Sequence, residues 1–197
     1  MLGSRKYIKF LFLINIYMDN EGKNIVWFAM CAPYCKELEA KQLLDSQAIE
    51  TFVPMCYKVF VKNGKKKKEL VPAVRNLLFV RTSWEVIREV KKRILFLQYM
   101  TRPEAGKNIP IIVPDMQMQQ FISVSRNYNE RLVYLTPEEI NLSKGTRVRI
   151  LGGPFDGVEG SFLKIKGCRS KRVVIQVQGI VAVAVAEVCP DLIEVIN

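Results

Sequence analysis

The hydrophobic pattern of this 197-residue chain changes near residue 127, and the change predicts two folding units. Before it, continuous apolar runs typical of buried strands alternate with amphipathic helical segments. After a polar segment, short strand-like runs punctuated by glycine follow one another. The first unit is therefore expected to be α/β or α+β, and the second a small β-barrel or sandwich.

Turn and helix signals separate the elements of the first unit. The Asn63-Gly64 pair predicts a hairpin with a basic tip. The spacing of Thr82 and Glu85 predicts a capping box before a helix that ends near Arg93. The other predicted elements are strands at residues 25–31, 49–53, 57–61, 77–80 and 94–99, helices at 35–47 and from Asp115 onward, and a loop at 102–110.

Four segments are predicted along the chain. Residues 1–24 are a disordered extension in which Met1 or Met18 is the start, and 25–126 are the first unit. Residues 127–143 are a linker with little periodicity, and 144–197 are the second unit. Strands of the second unit are predicted at residues 147–151, 158–166, 172–178, 180–188 and 192–196.

Charge and the absence of histidine limit the possible functions. Lys and Arg number 30 against 19 Asp and Glu, a net charge of +11 that favours a nucleic acid or an anionic membrane surface as partner. Without histidine, the histidine-dependent nucleophiles and metal sites are excluded. The carboxylates that a metal-dependent nuclease would need are scattered, so no enzyme activity, metal or cofactor is predicted. These carboxylates belong to Asp115, Asp156, Glu159 and Asp191.

Five cysteines without a repeating spacing predict reduced thiols rather than a disulfide framework. Cys31 and Cys35 have two interpretations, half of a metal site or simply small buried or semi-buried thiols. The chain has no stretch of about 20 apolar residues, so no membrane span is predicted. A cytoplasmic protein is expected, and the alternative is a membrane tether formed by the short apolar run at residues 10–17.

Glycines shape a turn in the second unit. Gly152 and Gly153 precede Pro154, Gly157 is expected to have a positive φ, and Gly160 suits a bulge at the start of a strand. Residues 153–160 resemble a KOW motif, whose matching positions here are Gly153, Phe155, Gly157 and Gly160.

The order of landmarks in the first unit is similar to that of the N-terminal domain of the NusG family. Those landmarks are Trp27-Phe28, a helix with Glu37, Phe52-Val53-Pro54, a basic hairpin, Leu77-Leu78-Phe79-Val80 and Ile112-Val113-Pro114. Residues 112–115 and 179–184 look closer to the RfaH-like and UpxY-like paralogs of capsule and exopolysaccharide operons.

The resemblance implies an N-terminal α/β sandwich with an antiparallel sheet, followed by an SH3-like β-barrel. It also implies a monomeric elongation and antitermination factor that binds the clamp helices of the largest RNA polymerase subunit and suppresses pausing or termination. The second domain would recruit the termination factor Rho or a small-subunit ribosomal protein. The alternative is a KOW-bearing ribosome-associated or RNA-binding protein.

Family members contact the clamp through an exposed apolar patch, and the matching positions here are Cys31, Leu77, Phe79 and Leu97. Large apolar side chains on strands are more often core residues, so both interpretations of Leu77 and Phe79 stay open. The family's Pro-x-Tyr before Leu-Phe-Val is absent here. Arg88 and Glu89 match positions that touch a loop across the polymerase cleft, with a solvated helix face as the alternative.

The hairpin lysines are the predicted nucleic-acid contact. The resemblance places this hairpin beside the upstream DNA fork and the non-template strand. Ammonium groups at a hairpin tip suit phosphate contact without base specificity, although a solvated tip explains them as well. The predicted residues are Lys62, Lys65, Lys66, Lys67, Lys68 and Arg75.

Overall fold

A computed structural model describes residues 25–126, 132–135, 145–165, 171–177, 180–184 and 190–196. The predicted extension at 1–24 and most of the predicted linker lie outside these residues. None of the described helices is long and apolar enough to cross a membrane.

The first unit is built on an antiparallel sheet of five short strands. Hydrogen bonds connect them in the order β2-β5-β1-β6, and β9 also pairs with β1. The strands are β1 (Val26–Cys31), β2 (Glu50–Phe52), β5 (Leu77–Thr82), β6 (Gln98–Tyr99) and β9 (Ile112–Val113). β6 is shorter than the strand predicted at residues 94–99, because Ile94 is the C-cap of the preceding helix.

Three helices cover the two faces of this sheet, which explains the unbroken apolar run of β1. Alternate β1 residues point to opposite faces, with Trp27 and Ala29 in one core cluster and Phe28 and Met30 in the other. α1 (Glu37–Asp45) and α2 (Trp84–Arg93) pack on the Phe28 side, and α3 (Asp115–Ser125) packs on the Trp27 side. The mixed helix and strand composition with antiparallel pairing agrees with the predicted fold class.

The start of α2 differs from the predicted capping box. Ser83 is the N-cap, and its hydroxyl accepts a hydrogen bond from the backbone N–H of Val86. Thr82 is instead the last residue of β5 and is buried. A capping box with Thr82 is therefore wrong, because the strand extends two residues beyond its predicted end at Val80.

Two hairpins project from the first unit. The first is β3 (Met55–Lys62) with β4 (Lys65–Pro72), as the Asn63-Gly64 signal predicts. The second is β7 (Thr101–Glu104) with β8 (Lys107–Pro110), where the sequence predicts only a loop. Ala105 and Gly106 both have positive φ, which forms the two-residue turn that closes this second hairpin.

The second unit is a six-stranded antiparallel sheet with the order β10-β14-β13-β12-β11-β15. Its strands are β10 (Val133–Leu135), β11 (Thr146–Ile150), β12 (Glu159–Lys164), β13 (Lys171–Val177), β14 (Val181–Ala184) and β15 (Ile193–Val195). β10 lies inside the predicted linker, because the apolar run that ends at Leu135 pairs with β14.

The two units share one apolar core. α3 contacts β13 and β14, and the cluster that contains Phe121 continues into Val148, Val173 and Ile175 of the second sheet. The ring of Tyr134 lies edge-on to Phe121, with centroids 6.5 Å apart, and its hydroxyl donates a hydrogen bond of 3.3 Å to the backbone oxygen of Met55. The second sheet therefore packs on the α3 side of the first unit.

Candidate nucleic-acid interface

The β3–β4 hairpin is an exposed two-stranded ribbon. Within the described residues, its strands pair only with each other, from Met55 opposite Pro72 to Lys62 opposite Lys65. Asn63 and Gly64 have φ of 51° and 73°, the backbone of a tight turn that matches strand twist. From Lys65 to Pro72 the ribbon extends roughly 23 Å at about 3.3 Å per residue.

Strand alternation divides the predicted lysine cluster between the two faces of the ribbon. Residues that pair across a hairpin point to the same face, so the register fixes which side chains lie together. We define the tyrosine face as Tyr57, Val59, Val61, Lys66, Lys68 and Leu70. We define the phenylalanine face as Lys58, Phe60, Lys62, Lys65, Lys67 and Glu69.

The phenylalanine face carries the only carboxylate of the two defined faces. The Glu69 carboxylate lies 2.9 Å from the Lys67 ammonium and 4.0 Å from that of Lys62. The hydrogen bond and charge of Lys67, followed by the charge of Lys62, hold the pKa of Glu69 below its usual value. At neutral pH this face therefore carries a fixed negative charge among its four lysines.

The tyrosine face combines two lysines with exposed apolar surface. The Lys68 ammonium lies 4.3 Å from the centroid of the Tyr57 ring, a cation–π contact. Val59 and Val61 are 62% and 68% exposed, and Tyr57 and Leu70 are also exposed. A ribbon that only needed solubility would not leave this much apolar surface in water.

Arg75 does not join the lysines at the hairpin tip. It is exposed in the turn between β4 and β5, beyond Pro72 at the base of the ribbon. The structure therefore places Arg75 and Lys65 at opposite ends of the hairpin, where one short nucleic-acid segment at the tip would not reach both.

Leu77, Phe79 and Leu97 are only 2%, 0% and 1% exposed, which favours the core interpretation that the sequence left open for Leu77 and Phe79 and places Leu97 in the core as well. Alternate residues of β5 lie in the two core clusters, with Leu77 and Phe79 in one and Leu78 and Val80 in the other, so both faces of this strand are covered. The ring of Phe79 packs against Phe121 of α3, with centroids 5.8 Å apart. Leu97 lies in the core cluster on the α1 and α2 side. In this arrangement a partner cannot touch any of the three.

Cys31 is the one member of that predicted patch that is partly exposed. Burial, followed by the nearby Glu37 carboxylate, raises the pKa of the Cys31 thiol. Burial also raises the pKa of Cys56, against a smaller opposing effect of Lys58. Cys31, Cys35 and Cys56 are free thiols. No three Cys, Asp or Glu residues of the described segments are placed to hold a metal ion.

Arg88 and Glu89 are exposed on α2, as expected for a contact surface or a solvated face. The Arg88 guanidinium lies 5.5 Å from the Trp84 ring centroid. Glu89 forms an ion pair with Lys92, and the hydrogen bond and charge of that lysine lower the pKa of Glu89. Local contacts thus hold both side chains, and no described contact links them to the hairpin.

Sequence reasoning missed the aromatic residues of the hairpin. Tyr57 and Phe60 lie on opposite faces, and each shares its face with lysines. The signal that could have found them was the alternation of Tyr57, Val59 and Val61 opposite a lysine run, which places apolar and basic side chains on one face.

The KOW-like segment adopts a compact turn. Gly153 and Phe155 bound a short 3₁₀-helix, and Phe155 packs against the shared core. Gly157 has φ of 76°, which confirms the positive φ expected there. Pairing of β11 with β12 runs through Gly160 without the expected bulge.

Three of the carboxylates that a metal-dependent nuclease would need, those of Asp115, Asp156 and Glu159, form ion pairs or hydrogen bonds within the fold. Glu159 binds Arg149 at 2.8 Å, and the carboxylate of Asp156 accepts a hydrogen bond from the backbone N–H of Gly152. Asp115 lies 3.7 Å from Arg81. The structure does not bring these carboxylates together as a metal site within the described segments.

Residues 25–122 match the family model described as transcription termination factor NusG. This span contains the five-stranded sheet, α1, α2, both hairpins and the part of α3 up to residue 122, and the family that it matches is one of transcription factors. The chain belongs to the NusG family. Members of this family are non-enzymatic factors that interact with RNA polymerase.

Solved structures also resemble the chain, and fourteen of their chains match it. One is described as "Domain interaction in Thermotoga maritima NusG", with 15% identity and a TM-score of 0.42 over 88% of this chain and 98% of that one. No curated protein matches the sequence.

Proposed function

We propose that this protein is a transcription elongation and antitermination factor that binds RNA polymerase through its N-terminal unit and suppresses pausing or termination. The observation that carries the proposal is the family match over residues 25–122. The net charge of +11 supports it, because a factor on transcribing polymerase works beside nucleic acid.

The finer features of the proposal follow the sequence resemblance. The clamp helices of the largest subunit are the proposed polymerase contact, and non-template DNA is the proposed contact of the hairpin lysines. The second unit acts as a KOW-type SH3-like domain that recruits Rho or a small-subunit ribosomal protein. Capsular or exopolysaccharide operons are the proposed targets, as for the UpxY-like and RfaH-like paralogs.

Because Leu77 and Phe79 are buried, the proposed polymerase contact lies on other residues of the N-terminal unit. In the arrangement described here, the clamp would meet exposed groups of the N-terminal unit rather than the β5 side chains. Cys31 at the end of β1 and the Arg88–Glu89 segment of α2 are the remaining proposed contacts, because both reach solvent.

The test is binding to an elongation complex assembled from RNA polymerase on a DNA–RNA scaffold and resolved on a native gel. We expect the full chain to shift the complex, and we expect the variant with Lys65, Lys66, Lys67 and Lys68 replaced by alanine to bind more weakly. Sedimentation with ribosomal subunits tests the alternative. Ribosome association without any shift of the elongation complex would favour the KOW-bearing ribosome-associated protein.

A further inference from the structure

We propose that a cleft between α3 and the end of the first sheet at which β1 begins binds a small zwitterionic ligand. Such a ligand carries an ammonium group at one end and a carboxylate at the other, as a short peptide does. The cleft has a volume of about 370 Å³. Its lining residues differ from those proposed to contact polymerase or DNA, so the inference goes beyond the proposed function.

The sheet supplies one wall of the cleft. Trp27, Arg81 and Glu50 form one row across β1, β5 and β2, because Trp27 pairs with Arg81 and Arg81 pairs with Glu50. Residues that pair in an antiparallel sheet point to the same face. Trp27 belongs to the core cluster on the α3 side, so all three side chains lie on that side.

α3 supplies the other wall. Its lining residues recur three or four positions apart, which places them along one stripe of the helix. Ile122 on this stripe is half-buried and Trp27 is only 3% exposed, so these two side chains give the cleft its apolar surface. Ligand pockets combine such apolar surface with a few fixed polar groups. The lining residues of α3 are Asp115, Gln119, Ile122, Ser123 and Arg126.

One end of the cleft carries a net negative charge. The Nη1 atom of Arg81 lies 3.3 Å from Oε2 of Glu50, and its Nε atom lies 3.7 Å from Oδ1 of Asp115. One guanidinium between two carboxylates leaves a single negative charge in excess. An ammonium group in the cleft would be attracted to these carboxylates, whereas an anion would be repelled by them.

Arg126 gives the other end of the cleft a positive charge. It is the exposed C-cap of α3, and Glu50 and Asp115 pair with Arg81 rather than with Arg126. A guanidinium can bind a carboxylate through two parallel hydrogen bonds. Neither a simple anion nor a simple cation satisfies both ends, so the ligand that fits carries both charges.

The distance between the two ends limits the length of the ligand. Asp115 and Arg126 lie eleven residues apart, which is roughly 16 Å along the helix axis at about 1.5 Å per residue. Side chains of a helix lean toward its N-terminus, so the long arginine side chain shortens the gap to roughly 10 Å. An extended tripeptide spans about this distance at roughly 3.3–3.6 Å per residue. A free α-amino acid is too short, because its two charged groups share one carbon atom.

Peptides with free and blocked termini test this inference with the full chain. The probe is the tripeptide alanyl-leucyl-alanine, titrated at millimolar concentrations. Because the chain has two tryptophans, Trp84→Phe leaves Trp27 as the only one, and its fluorescence then reports on the cleft. Calorimetric titration of wild type with the same peptides gives a second readout that needs no substitution.

We expect the free tripeptide to bind saturably. Acetylation of its amino end and amidation of its carboxyl end each remove one charge, and each should weaken binding about fivefold, the upper range for an exposed ion pair. The absence of saturable binding would overturn the inference. Equal affinity for the free peptide and both blocked peptides would overturn it as well, since the charges of the ligand would then play no part.

Variants at the two ends of α3 locate the charges of the ligand. Arg126→Gln should weaken binding of the free peptide about fivefold and leave the affinity for the amidated peptide unchanged. Asp115→Asn should weaken the free peptide and leave the acetylated peptide unchanged. Arg93→Gln is the matched control, because it removes one exposed arginine from α2 on the other side of the sheet.

The control should bind the free peptide as wild type does. A loss from Arg93→Gln as large as that from Arg126→Gln would overturn the assignment to the cleft. An equal effect of Arg126→Gln on the free and amidated peptides would overturn the pairing of this arginine with the carboxylate. Far-UV circular dichroism and thermal unfolding check that each variant remains folded.

The elongation-complex assay separates failure of this inference from failure of the proposed function. If wild type binds the elongation complex but does not bind the free tripeptide, only the further inference fails. If the tripeptide binds in a manner that depends on Arg126 and on its own termini but polymerase is not bound, the proposed function fails and the cleft remains a binding site.

Discussion

Gly160 lies where β12 approaches β13 too closely for a side chain. A Cβ atom at this position would be 2.6 Å from the backbone oxygen of Val174 and 2.8 Å from a methyl group of Val173. Real Cβ atoms do not come this close to backbone, so a strand would have to move. The glycine of the KOW-like segment therefore serves strand packing.

Gly160→Ala should lower the free energy of unfolding by about 2–3 kcal/mol, the cost of overpacking a well-packed site. Gly64→Ala in the β3–β4 turn is the matched control, because its Cβ would meet open space and only its φ of 73° opposes alanine. That control should lose about 1 kcal/mol. Urea titration measures the free energy of unfolding of both variants, and a loss at Gly160 no larger than at Gly64 would contradict the close approach.

The free thiols should differ in reactivity, since the thiolate is the nucleophile. Cys35 is exposed, whereas the raised pKa of Cys31 and Cys56 keeps those thiols protonated at neutral pH. We expect Cys35 to react with iodoacetamide faster than either, and labelling of Cys31 to accelerate as pH rises toward its pKa. Mass spectrometry of peptides from a labelling time course measures each rate.

Glu37→Gln tests the electrostatic cause at Cys31. The variant removes the carboxylate that raises the thiol pKa while it keeps the size of the buried side chain. Cys31 should then label faster at a given pH, and Cys56 should not change. An unchanged Cys31 rate would show that burial alone sets its pKa.

At the scale of elements, the strands and helices with strong local patterns follow from the sequence. β1 was predictable because its apolar run is unbroken, and α3 because Met118 and Phe121 recur on one face. The β7–β8 hairpin was not, because Ala105 precedes Gly106 in its turn and alanine is not a residue that signals positive φ. The N-cap of α2 was misassigned because Thr82 and Ser83 are adjacent and only the strand end decides between them.

Ser83→Ala should lower the free energy of unfolding by about 1 kcal/mol, because it leaves a backbone N–H of the first turn of α2 without its acceptor. Thr82→Val is the control, since Thr82 is buried at the end of a strand and valine favours strands. Chemical denaturation of both variants compares them. If Thr82→Val lowered the free energy of unfolding more than Ser83→Ala does, Thr82 rather than Ser83 would be the residue that caps α2.

At the scale of the whole molecule, α3 joins the two units into one core. Phe121 contacts Phe52 and Phe79 of the first sheet, and also Tyr134 of the second. The sequence could not predict the burial of Leu77 and Phe79, because an apolar strand pattern does not reveal which elements will cover each face. It did predict the exposed basic hairpin, whose Asn63-Gly64 turn and lysines are local features.

The apolar core shared by the two units holds them together, and the charged β3–β4 hairpin projects from the first unit. The N-terminal unit supplies the proposed polymerase contact, and the ribbon extends roughly 23 Å from its base to its lysine tip. Loss of the tip charges should therefore weaken the action on transcription while the fold is retained.

Single-round transcription with purified RNA polymerase, with and without this protein, tests the central claim most directly. The account predicts shorter pauses or increased read-through with wild type, and a weaker effect when Lys65, Lys66, Lys67 and Lys68 are all replaced by alanine. Unchanged pausing and termination at saturating protein, also on a polysaccharide-operon leader, would contradict an elongation factor.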